Sequence, residues 1–100
     1  MTCTKCGRQL IGNGKNVRSP SNHHVYPVRW FGKGKQNKMK VLFCTACHRE
    51  LEMIIWHFED KILNLIEKQE GRKPGKQKQK RIFRGMKQMY LKMVSDYVSS

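Results

Sequence analysis

Four cysteines fall as two pairs, Cys3/Cys6 and Cys44/Cys47, each with two residues between. Four soft thiolates are the number and kind of donor that hold a tetrahedral Zn²⁺, with sulfur about 2.3 Å from the metal. Two intervening residues let one tight turn aim both sulfurs at a single ion, and Gly7 lets the backbone turn directly after the first pair without a Cβ clash. Two disulfides or four free thiols are the alternatives. The opening residues, Met-Thr-Cys-Thr-Lys-Cys, hold no apolar signal core, so a reducing, cytoplasmic setting is expected, not a secreted one. There such pairs read as metal ligands. Four thiolates leave no open position, so this metal would hold structure and do no catalysis.

Three histidines gain meaning from that staple. His23-His24 follow a polar segment, and His48 comes directly after Cys47. A zinc joining the two cysteine pairs would carry His48 toward the stretch bearing His23-His24. Neighbours on an extended chain point to opposite sides, so one of the pair can share a metal with His48 while the other faces a substrate. An imidazole, with an ordinary pKa of about 6.5, can take a proton from water at neutral pH. The plainer reading is that each is a hydrogen-bonding partner beside the zinc or a phosphate contact. Glu52, one helical turn beyond His48, is open to three roles: a further ligand, an acceptor that orients one, or a surface acid. His57 reads as a helix-surface or packing residue.

Cys-x-x-Cys, then His23-His24-Val25-Tyr26-Pro27, then Asn37, then Leu42-Phe43-Cys44-x-x-Cys47-His48 resembles the HNH endonuclease family over about residues 3 to 52. That family carries a ββα-metal (His-Me finger) site often braced by a four-cysteine zinc. The resemblance implies that His23 binds a catalytic divalent metal, Mg²⁺ or Mn²⁺, with His48 as second protein ligand. It implies that His24 is the general base and that Asn37 ties the loop between the strands so that the base is oriented. The chain departs from the family in the longer spacing from Asn37 to Cys44 and in holding Glu52 where many relatives place another His.

The elements that must position these residues are an α+β set. Val25-Tyr-Pro-Val28 and Lys40-Val-Leu-Phe43 suit short strands among glycine-rich turns. Leu51, Ile54, Ile55, Phe58, Ile62, Leu65 and Ile66 recur at helical spacing, with Glu59 among the polar positions, predicting a helix from about Thr45 to Gln69 that Gly71 stops. Residues 71–80 read as a basic linker, and Ile82, Phe83, Met86, Met89, Tyr90, Met93, Val94 and Tyr97 as the apolar side of one helix over 81–100. The expected organisation is a zinc-stapled ββα-metal core (1–70), the linker, and a C-terminal amphipathic helix that pairs with the first helix or with a second copy, giving a monomer or a homodimer.

Charge points to the partner. With 21 Lys+Arg against 7 Asp+Glu, a formal +14 over 100 residues, the chain attracts polyanions, nucleic acid first; the resemblance implies DNA, with RNA left open. No apolar run is long enough for a membrane span. Arg29, Lys33, Lys35, Lys38 and Lys40 form one group of candidate phosphate contacts around Trp30-Phe31. Arg72 and Lys73 begin another that continues through Lys76, Lys78, Lys80, Arg81 and Arg84. These contacts would be independent of sequence and weakened by salt. A non-catalytic zinc-containing nucleic-acid binder is the rival reading. A protein adaptor using the acidic 51–71 stretch is a third.

Overall fold

The computed structural model of the chain describes residues 1–11, 20–32, 34 and 37–100. Its elements run β1 (Pro20–His24), α1 (Val28–Phe31), β2 (Lys40–Cys44), α2 (Thr45–Glu70), α3 (Lys76–Arg84) and α4 (Lys87–Ser99). This is a small α+β arrangement: β1 and β2 make a two-stranded antiparallel sheet, with Ser21 opposite Phe43 and His23 opposite Val41. No helix among the described residues is long and apolar enough to cross a membrane.

The first strand lies earlier than the sequence reading placed it, on Pro20–His24, so both histidines sit within the strand. Pro20 occupies the strand's first position, where a missing N–H disturbs no ladder. Val25 and Tyr26 are buried in the bend that follows, and Pro27 starts the helical turn α1, its carbonyl accepting from the N–H groups of Trp30 and Phe31. Proline fixes φ for such a start and offers no N–H to a strand.

Helix α2 runs directly out of β2. The Cys44 thiol sulfur accepts from the Cys47 N–H at 3.4 Å and so caps the helix. Gly71 ends it in the left-handed conformation (φ 78°), its N–H on the Glu67 carbonyl, the closure that glycine makes without a Cβ penalty. The buried row is Leu51, Ile55, Glu59 and Leu63, each four residues from the last. Ile54 and Leu65, read from the sequence as core, are 44% and 59% exposed, because the packed elements cover one side of the helix and a four-residue row drifts away from them.

The segment expected to be a linker through residue 80 is helical from Lys76, and the expected single C-terminal helix is two helices broken at Gly85–Met86. Gly85 has the weakest helix propensity after proline, and the Met86 N–H turns back to the Phe83 carbonyl at 3.0 Å. The break lets Phe83 from α3 stack on Trp30 while Tyr90 from α4 meets Phe31 and Phe58 edge-on. Phe43, Leu51, Ile55, Phe83 and Tyr90 are fully buried at the centre of the core.

Candidate metal centres

Cys3, Cys6, Cys44 and Cys47 bring their sulfurs within 4.8 Å of one another. The Cys6 and Cys44 sulfurs are 3.9 Å apart, far beyond disulfide bonding and close to the edge of about 3.8 Å that a ZnS₄ tetrahedron with bonds of about 2.3 Å requires. Backbone bonding shapes the first pair: Gly7 N–H reaches Cys3 O, Cys3 N–H reaches Arg8 O, and Thr4 N–H joins Leu42 O of β2 at 3.0 Å. Gly7 takes φ 73° to close that turn. Burial alone would raise the Cys3 thiol, but backbone groups of Cys6, Cys44 and Lys5 hydrogen-bonded to its sulfur bring it down to about 6. Cys47 is pushed up to about 12 by burial and by the neighbouring Cys44 and Cys3 sulfurs. A cation among the four would resolve that crowding by replacing the protons the sulfurs share.

A second cluster consists of His23, His48 and Glu52, whose donor atoms also fall within 4.8 Å. Strand β1 buries His23, and the first turns of α2 supply His48 and Glu52 on one face. Glu52 Oε1 is 3.3 Å from His23 Nδ1 and 3.5 Å from His48 Nε2. The other ring nitrogen of His48, Nδ1, hydrogen-bonds the Ser21 hydroxyl on β1. Were a cation bound, an Nδ1–H donating to that oxygen would leave the Nε2 lone pair for it in place of the contact with Glu52, the way a metal-bound imidazole is commonly oriented. Hydrogen bonding to His23, then to His48, holds the Glu52 carboxyl well below the usual carboxylate range against the opposing effect of burial. Two imidazoles and one carboxylate suit a divalent ion and leave coordination positions open. Of the three roles left open for Glu52, the geometry favours ligand or orienting acceptor over surface acid.

The cluster lines a cleft of about 240 Å³ together with Asn22, His24, Pro27, Val28 and Arg29. His24 is half-buried there. Asn37 is buried between the strands and donates through Nδ2 to the Tyr26 carbonyl at 2.9 Å and the Gly32 carbonyl at 2.7 Å, spanning the loop that carries α1. Lys38, Lys40, Arg72 and Lys73 are exposed, and His57 is exposed on α2. Lys33 and Lys35 lie outside the described residues.

Sequence reasoning missed Glu59, which it placed on the polar side of α2. Its carboxylate is buried and accepts from Arg29 Nη2 (2.6 Å), Trp30 Nε1 (2.8 Å) and the Tyr90 hydroxyl (2.5 Å). The only available signal was its place in the four-residue row of Leu51, Ile55 and Leu63. Burial, followed by the Glu59 charge, raises the Tyr90 phenol above its ordinary range. Comparison with known proteins finds no matching family model, no matching curated protein and no matching solved structure.

Proposed function

We propose that this chain is a metal-dependent endonuclease of the HNH type, hydrolysing phosphodiester bonds in DNA on a zinc-stapled ββα-metal core. The convergence of His23, His48 and Glu52, in a cleft that His24 also lines, carries the reading. Its support from sequence is the order of the cysteine and histidine motifs between residues 3 and 52. A Mg²⁺ or Mn²⁺ held by His23, His48 and Glu52 would supply Lewis acidity to the scissile phosphate and its leaving oxygen. His24 acts as general base. Its imidazole nitrogen takes a proton from water as the water oxygen bonds to phosphorus and the bond from phosphorus to the leaving oxygen breaks. Asn37, bonded to the Tyr26 and Gly32 carbonyls, keeps the loop after β1 in shape. Arg29, Lys38 and Lys40 bind flanking phosphates and set register without reading sequence.

The test is nicking of supercoiled plasmid by zinc-loaded protein across a Mg²⁺ and Mn²⁺ titration, with His24→Ala alongside. Loss of a general base typically costs about 10²- to 10⁴-fold, so the variant should lose nicking while keeping its fold, zinc content and DNA affinity. Folded wild-type protein that retards DNA in a salt-sensitive way but never nicks it would overturn the nuclease and favour a non-catalytic zinc-containing binder.

A further inference from the structure

A second cleft, of about 410 Å³, opens between α1 and α3 and is lined by Arg29, Trp30, Lys76, Gln77, Gln79 and Lys80. Its wall is rigidly held. The Trp30 ring stacks on Phe83 (centroids 5.0 Å, 27°) and is anchored through Nε1 to Glu59, while Arg84 Nε donates to the Trp30 carbonyl. The cations facing this groove differ from their neighbour on α3. Lys78 is neutralised by Glu70, at 2.6 Å from both carboxylate oxygens. Lys76 and Lys80, one helical turn apart, have no acidic partner among the described residues.

Arg29 joins this groove to the histidine cleft, because it lines both. Glu59 engages Nη2, and a guanidinium carries five N–H donors, so others remain to meet a phosphate while the buried carboxylate fixes the side chain. The guanidinium also lies over the Trp30 ring at 5.6 Å. Lys76, Lys80 and Arg29 set cations around this groove, and such cations suit the phosphates of a nucleic-acid backbone.

We propose that the α1–α3 groove binds DNA backbone on one side of the scissile phosphate, with Lys76 and Lys80 contacting phosphates and Arg29, positioned by Glu59, linking groove to cleft. The side assignment rests on the nuclease reading; the binding itself does not. It is tested on full-length zinc-loaded protein, without Mg²⁺, by fluorescence anisotropy on a DNA duplex over a salt series. Lys76→Ala/Lys80→Ala is compared with Lys61→Ala/Lys68→Ala, which removes the same charge from α2. Each lost phosphate contact lowers the slope of log K against log salt by about 0.9, so the groove variant should lose about 1.8 and the α2 variant clearly less. Lys76→Gln/Lys80→Gln, which keeps more of each side chain, should reproduce the loss. Equal slopes for both double variants overturn the groove, as does a wild-type chain that does not bind DNA. Salt-sensitive binding with the expected slope loss but no Mg²⁺-dependent nicking overturns the nuclease alone.

Discussion

The His48 ring stands edge-on to the His23 ring, centroids 5.0 Å apart and planes at 78°, although one belongs to β1 and the other to α2. The Glu52 carboxylate closes the third side. If these three side chains hold one cation, removing the carboxylate must weaken binding directly. Glu52→Ala is expected to lower Mn²⁺ affinity by at least the 10- to 100-fold, roughly, that even supporting residues of metal sites contribute. Calorimetric titration of zinc-loaded protein with Mn²⁺ reads this independently of any cleavage. Unchanged affinity would show that Glu52 neither binds the cation nor orients the histidines that do.

The four-cysteine cluster fastens the amino-terminal turn to the junction of β2 and α2. Cys44 is at once a sulfur donor, the last residue of the strand and the cap of the helix. If the four sulfurs hold zinc, stripping it should therefore unravel more than a loop. Structural zinc couples to folding with large apparent free energies, so a strong chelator is expected to abolish the cooperative thermal transition, and added Zn²⁺ to restore it. Cys6→Ser should bind zinc more weakly and melt well below the parent. A chelated protein with an unchanged melt would remove the structural role.

Much of this site is legible in the sequence because paired cysteines and adjacent histidines are local patterns. The helix that periodicity and Gly71 predict from about Thr45 to Gln69 likewise lies within a residue of the observed Thr45–Glu70. What sequence does not carry is which helix face finds a partner. Glu59 looks solvent-facing until α1 and α4 bring Arg29, Trp30 and Tyr90 to it, a tertiary arrangement that no window along α2 contains. The same limit hides α3: Gly71-Arg-Lys-Pro-Gly-Lys reads as linker, yet Phe83 needs a helix beneath it to reach Trp30. The strand was misplaced because Val25 and Tyr26 have strand-forming side chains that are instead buried in a bend ahead of Pro27.

Glu59 joins α2 to α1 and α4 through three donors. Glu59→Ala would leave the Tyr90 hydroxyl and the Trp30 N–H without their acceptor and Arg29 without its counter-charge. Breaking a buried pair from one side costs about 3–5 kcal/mol. At about 4–8 °C per kcal/mol for a domain of up to about 100 residues, the melt should fall by well over 10 °C, roughly. Arg29→Ala should cost less, since its side chain is 37% exposed and two donors to the carboxylate remain. Equal losses in the two variants would mean that the ion pair, and not the buried hydrogen bonds, carries the stabilisation.

Tyr90 gives the same network a pH signature. Its phenol is fully buried and donates to Glu59 Oε2, and burial together with that carboxylate raises its pKa above the ordinary value of about 10. A group whose folded pKa is raised holds its proton more tightly in the native state. Its contribution is fully present below the unfolded pKa and is lost as pH rises toward the folded one. Between those limits the native chain carries one more proton than the unfolded chain, so stability should fall by about 1.4 kcal/mol per pH unit from this residue. Tyr90→Phe removes the titrating proton and one donor to Glu59. It should cost about 1–3 kcal/mol near neutrality and show a shallower alkaline decline than the parent. Urea melts of both chains from pH 8 to 11 test this. Parallel declines would place the Tyr90 hydroxyl in contact with water instead of with Glu59.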